Sequence, residues 1–317
     1  MRAGRALSKV WVALVALWLI WGSTYYGTFV MTESIPIYLG VTARFIIAGV
    51  LLIVFLAITN PTALRVTRRQ LASTAIYGLS FIGWSMGIMA VAIHYVPSGE
   101  TALLVSVLPV WIVLLRLFTG DRPSWKTLLG VVVGLIGLVW ILLPGGTDSP
   151  GGTDAQVLLW SLIIVISSIT WAVTSWFSPR LEKPKSDLAA VAYQSFFGAA
   201  VLLAIGLFRG ERWDVAATTR SSWVALLFLA VVGSILGWYA FVWLLQNSRL
   251  SLMSTYAYVN PVVAVIVGFV LGGEMLSSDI IVGCSVVLAG VVLVVSGEQI
   301  GTPKRLLPRE HSKSART

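Results

Sequence analysis

The stretch LLGVVVGLIGLVWILL, residues 128–143, is apolar on every face of a helix, and IIVGCSVVLAGVVLVV at 280–295 repeats the pattern. A helix with no polar side cannot rest on the surface of a soluble globule; it needs hydrocarbon around it. A bilayer core takes roughly 20 mostly apolar residues per helix. Ten runs of that kind can be marked, at 10–31, 35–59, 70–93, 97–118, 124–143, 155–178, 187–208, 222–246, 250–272 and 279–297. With 57% hydrophobic and 11% charged residues in 317, too little polar surface exists to solvate a globule of this size. Barrel strands would alternate apolar and polar residues over short segments, so the sequence predicts an all-α integral membrane protein of ten transmembrane helices.

A net charge of +9 suggests nucleic acid until the basic residues are placed. With the N-terminus inside, eighteen of the 22 Lys and Arg fall on the inner side, from Arg2, Arg5 and Lys9 to Lys304–Arg316. Arg209, Arg212 and Arg220 fall outside, and Arg44 falls within a span. That asymmetry is the signature of membrane topology and predicts both termini in the cytoplasm of an inner-membrane protein, with no role in nucleic-acid binding. The basic start reads as a retained first helix, because the apolar run continues to about Met31 with no small-residue cleavage site. One cysteine, Cys284, excludes an intrachain disulfide, and no cofactor or metal site is expected.

Shifting the chain by about 150 residues aligns WGSTYY at 21 with WAVTSW at 171, TARFIIAG at 42 with AYQSFFGA at 192, and Pro109 with Pro261. Each copy holds five spans, 10–143 and 155–297, joined by the Gly- and Pro-rich segment 144–154 and followed by a basic tail, 298–317. An odd number of crossings inverts the second copy. Inverted repeats of this kind build secondary carriers with the solute near the membrane midplane.

Several residues stand out against that background. Arg44 lies about 10 Å along its helix from Ile37, too deep to snorkel, and must meet carbonyls, a carboxylate or a solute anion. Its repeat partner Gln194 is uncharged. Pro109 and Pro261 free the carbonyls four residues back and predict kinks usable for gating. Around the ninth span, Ser254, Tyr258 and Pro261 share one face and Tyr256 and Asn260 another; either face serves as cavity wall or as interhelical contact. Trp21, Tyr25, Trp84, Trp171, Trp238 and Tyr239 could line an aromatic pocket, and interfacial anchoring uses the same residue types. Glu100 with neighbouring His94 could exchange protons as the coupling ion, while Glu274 sits at the start of the tenth span. Gly130, Gly134 and Gly137 permit close helix contact within a monomer or across a homodimer.

The fragments WGSTYY, ARF, VPSG, AYVNPVVAV and LGGEMLS, in this order, resemble the EamA-type transporters of the drug/metabolite transporter superfamily. The resemblance spans nearly the whole chain. It implies ten helices around a central cavity, alternating access, and export of amino acids, purines, drugs or other metabolites. It places Trp21, Thr24, Tyr25, Arg44, Tyr258, Asn260, Pro261 and Glu274 at motif positions. Two departures are Asp121 in TGD, where the family shows Gly-Glu, and Glu100 at a commonly apolar position. A nucleotide-sugar carrier is an alternative, although a diphosphate wants more than one buried cation. An integral membrane lipid enzyme is another, disfavoured by having His94 and His311 as the whole histidine set and no H-E-x-x-H. No phosphate-binding G-x-x-x-x-G-K-[ST] loop is present, so the expected energy source is a gradient.

Overall fold

The computed structural model describes residues 2–96, 98–105, 107–120, 123–142, 154–272 and 278–297. Every element among them is helical. In chain order they are α1 (Arg2–Thr32), α2 (Ile37–Thr59), α3 (Arg68–Ala92), α4 (Ser98–Val105), α5 (Leu108–Phe118), α6 (Trp125–Leu142), α7 (Asp154–Phe177), α8 (Asp187–Phe208), α9 (Arg220–Asn247), α10 (Leu250–Met253), α11 (Tyr256–Gly272) and α12 (Ser278–Gly297). Six of these are long and apolar enough to cross a membrane: α1, α2, α3, α7, α8 and α9; α6, α11 and α12 contain shorter apolar stretches.

The polarity is that of a protein dissolved in lipid. Ile58, Val132, Leu158 and Val270 face outward, whereas Thr101, Ser195, Ser234 and Thr255 are wholly buried. Buried hydroxyls bond back to their own helices, as Ser195 Oγ does to Val191 O (2.8 Å) and Thr255 Oγ1 to Leu252 O (2.7 Å). Such bonds satisfy polar groups where no water competes.

Short connections set the entry of each helix. Thr67 accepts from Gln70 N while Gln70 Oε1 accepts from Thr67 N, a capping box that starts α3. Helix α2 begins at Pro36 with no cap of its own. The carboxylate of Glu211, from the connection before α9, accepts from Tyr38 N (3.1 Å) and Leu39 N (2.9 Å) instead. A negative charge on the first-turn amides satisfies orphan donors and complements the helix dipole.

Two features depart from regular α-helix. Residues Gly78–Met86 of α3 and Leu229–Leu236 of α9 are wound as π-helix. The π segment of α3 packs against α8, and that of α9 packs against α2, while α2 and α8 pack on each other. Breaks also interrupt the apolar runs 97–118 and 250–272. The first falls between α4 and α5, just before Pro109. The second falls at Ser254–Thr255, and α11 runs on through Pro261, so the interruption expected at that proline lies upstream of it.

Helix α1 packs on α11 and α9; α7 packs on α4, α5 and α3; α4 meets α11, and α6 meets α12. At the α6–α12 crossing glycines bring backbone against backbone. A Cβ added to Gly290 would lie 2.6 Å from Gly134 N, and one on Gly130 would lie 2.6 Å from Val294 N. Small residues let the two backbones touch where side chains would hold them apart.

Candidate functional site: a cavity against an aromatic block

The centre of the bundle is a block of rings. Trp21 of α1 meets Trp171 of α7 at 5.8 Å between centroids and Tyr256 at 5.2 Å, both edge-on, and meets Trp238 at 5.3 Å and Phe241 at 5.0 Å with the rings tilted. Phe81 closes the group against Trp171 at 4.7 Å and Phe241 at 5.4 Å. Edge-to-face contacts of this kind add to the burial of large apolar areas. Five helices supply the rings: α1, α3, α7, α9 and α11.

Winding of α9 positions the polar groups beside the block. An i→i+5 turn leaves backbone carbonyls looking for partners. Trp21 Nε1 donates to Gly233 O (3.2 Å), and Arg44 Nε donates to the neighbouring Ser234 Oγ (2.8 Å). Gly233 makes the approach possible, since a Cβ there would lie 3.0 Å from Thr24 Cγ2 and 3.1 Å from Arg44 Nη2. The Arg44 guanidinium also stands 5.0 Å from the centroid of the Phe45 ring. Asn260, with its amide oriented to donate, bonds Tyr256 O (2.9 Å) and Trp18 O (3.3 Å), tying α11 to α1.

On one face of the block lies a cavity with about 710 Å³ of unfilled space, its open mouth included. Trp21, Trp171, Trp238 and Tyr256 floor it; Thr24, Tyr25, Thr28, Arg44 and Asn260 add polar atoms; Val41, Met86, Met89, Ala90, Ile93 and Val105 complete the wall. Thr24 and Thr28 donate their hydroxyl protons back to Trp21 O (2.7 Å) and Thr24 O (2.8 Å). On the other face is a smaller cavity with about 290 Å³ of unfilled space, its open mouth included, lined by Thr74, Tyr77, Phe81, Ser178, Lys183 and Gln194 among others. The two share no lining residue, and Trp238 Nε1 from the wall of the larger donates to Gln194 Oε1 from the wall of the smaller (2.9 Å).

Of the residues expected at the site, the structure thus gathers Trp21, Thr24, Tyr25, Arg44, Trp171 and Asn260 around one cavity and puts Gln194 beside the smaller one. Tyr258 is wholly buried on the opposite face of α11 from Tyr256, its ring against Gly134. Trp84 is 49% exposed and Tyr239 38%, both directed away from the cavities. Pro261 is buried inside α11. His94 lies past the end of α3 with Nε2 buried and unbonded; burial holds its imidazole below the ordinary range. Pro109 and Glu100 are described in backbone only, as parts of α5 and α4, and Glu274 lies outside the described residues. Among the described residues no cluster of His, Cys, Asp or Glu could hold a metal.

Beside the small cavity Lys183 is the charged group. Burial pushes its ammonium down to about 8, and the Asp187 carboxylate acts in the opposite direction. Gln246 Nε2 bonds that same carboxylate.

Thr28, Met86 and Met89 line the cavity without having been singled out in the sequence, while Trp238 and Tyr256, which the sequence offered as possible pocket or wall residues, line it as well. The i, i+4 pairing of Tyr256 with Asn260 was the available signal for the tyrosine, as the spacing puts both on one face.

The EamA-like transporter family matches residues 8–143 and 158–296. An uncharacterized inner membrane transporter of Escherichia coli (strain K12), YedA, is 33% identical over 297 residues, covering 93% of this chain and 94% of that protein. An uncharacterized transporter of Bacillus subtilis (strain 168), YoaV, is 25% identical over 286 residues, with 90% and 96% covered. A solved crystal structure superposes with a TM-score of 0.73 at 18% identity, covering 91% of this chain and 97% of the other, a likeness of fold. Apolar helices, central cavity and family match agree, and the chain belongs to the EamA-like transporter family.

Proposed function

We propose that the protein is a secondary carrier that moves a small organic solute across the cytoplasmic membrane by alternating access, most simply as an exporter. The observation that carries this reading is the central cavity, open on one face of the aromatic block and separated by it from a second cavity on the other. A carrier needs a solute site reachable from one side at a time, and a packed barrier between two hollows supplies it.

In this reading the chain forms ten spans in two inverted repeats, 10–143 and 155–297, with both termini cytoplasmic. The paired contacts support it. First spans pack on fourth spans of the other half (α1 on α11, α7 on α4 and α5). Third spans pack on second spans of the other half (α9 on α2, α3 on α8). Second, fourth and fifth spans meet their own counterparts. Trp21 and Trp171, equivalent by repeat, touch at the centre. Each half also has its own family match. The name of the Escherichia coli relative supports an inner-membrane location. A nucleotide-sugar substrate is disfavoured, because Arg44 is the one formal charge among the described lining residues.

Counterflow in proteoliposomes tests the proposal. The purified chain, preloaded in turn with amino acids, purines, aromatic acids and organic amines, is expected to give saturable exchange of at least one class. Folded protein that exchanges none of them, under proton, sodium or solute gradients, would leave a receptor or assembly role instead.

A further inference from the structure

We propose that the solute of this cavity is a monovalent organic carboxylate with a flat apolar body. The inference rests on the carrier reading and names its substrate class.

Arg44 supplies the one formal charge among the described lining residues. Its side chain is 5% exposed, lines the cavity, and makes one hydrogen bond, from Nε to Ser234 Oγ. The hydroxyl is a neutral partner. The terminal nitrogens of the guanidinium meet no acceptor among the described residues, and no Asp or Glu is among the cavity's lining residues. A cation kept at this depth without a counter-charge is costly, and an anion that enters removes the cost. Because Ser234 holds Nε, the fork is fixed with its terminal nitrogens free for a two-oxygen acceptor, the geometry a carboxylate matches.

The remainder of the wall sets the body of the solute. Trp21, Trp238 and Tyr256 present ring surface, and Met89 and Ile93 present flexible apolar surface. An inorganic anion would leave that surface wet. An organic amine could lie on the rings, but it would sit in the same small space as Arg44, with no acidic side chain among the described lining residues to balance it. The equivalent position in the other half is Gln194, neutral and bonded to Trp238, so the site carries a single charge and fits a single anionic group.

A matched set of probes tests this on the full chain in nanodiscs by titration calorimetry: phenylacetate, phenylacetamide, phenethylamine, phenylalanine and acetate. Phenylacetate is expected to bind, with phenylacetamide and acetate at least about tenfold weaker and the amine and amino acid weaker than phenylacetate, as losing a charged hydrogen bond or the buried ring implies. Arg44→Gln is expected to bring phenylacetate down to the level of the amide, and Arg44→Lys to keep part of the preference. Phenethylamine or phenylalanine binding as tightly as phenylacetate overturns the proposal. So does absence of phenylacetate binding, acetate equal to phenylacetate, or a monodisperse Arg44→Gln protein with the order unchanged. If that variant does not fold, the wild-type order decides.

Counterflow separates the two levels. Phenethylamine exchanging in preference to phenylacetate retains the carrier and overturns the carboxylate. The expected binding order with no exchange of any probe retains the site and overturns the carrier.

Discussion

Arg44 is a buried cation and Lys183 a half-buried one, each beside a different cavity flanking the aromatic block, and their surroundings differ. Lys183 has the Asp187 carboxylate close enough to act on its charge, and Asp187 is held in turn by Gln246. Arg44 has a serine hydroxyl, an aromatic ring and open space. A cation with its own counter-charge is satisfied within the protein; one without it still gains from an anion, which is what the proposed solute would bring. The same contrast holds for the two hollows. The smaller is lined by Gln194, whose amide oxygen already accepts from Trp238, whereas the larger ends in polar atoms with room in front of them.

The most severe way to break that contrast is to remove the ring at its centre. Trp21 is 6% exposed and touches four other rings, so Trp21→Ala is expected to cost about 3–5 kcal/mol and to merge the two hollows. Thermal melting in detergent should show a large drop, while Trp84→Ala, at a half-exposed tryptophan, should shift stability by less than about 1 kcal/mol. Equal losses for the two would mean that the block is not the packed barrier. Gln194→Leu acts next in size, beside the smaller cavity. It strands the Trp238 N–H in apolar surroundings, an expected loss of about 1–3 kcal/mol in the same assay.

At the start of α2, Glu211→Ala removes the carboxylate from two amides, with an expected loss of about 1 kcal/mol and earlier hydrogen exchange at Tyr38 and Leu39. Unchanged exchange there would show the cap to be dispensable. The smallest effect concerns Lys183. With its ammonium lowered to about 8 by burial, acylation of this lysine should rise less than about twofold between pH 8 and 9, since half is already neutral at the start. A lysine at its ordinary value would gain about tenfold over the same step. Asp187→Asn, which removes the charge that opposes the burial effect, should move the plateau to lower pH.

The helical, lipid-dissolved character was legible because a membrane imposes runs of apolar residues, which no packing detail can disguise. Arg44 was legible for the same reason, being a charge inside such a run. The side of a helix was harder to read. Trp84 lies within the π segment of α3 and Tyr239 just beyond that of α9. A π turn takes an extra residue, so the face that follows is rotated from the regular 3.6 period, and no local sequence signal announces it. Both residues come out on the exterior. On α11 the two tyrosine faces were equally apolar-flanked in sequence. Asn260 bridging to Trp18 O, a contact between α1 and α11 distant in sequence, identifies the Tyr256 side as the one that meets the cavity. Proline misdirected the position of the break in the same way: local chemistry pointed to Pro261, and the helix is interrupted at Ser254–Thr255.

Thiol accessibility measures the central claim, a barrier with a hollow on each side. In a Cys284→Ser background, a cysteine at Thr28 would report the larger cavity and one at Ala190 the smaller. Labelling with a membrane-impermeant maleimide, in intact cells and in inverted vesicles, should modify the two from opposite sides of the membrane, with solute shifting the balance between them. Modification of both from one side, or of both at once in a single molecule, would contradict the account.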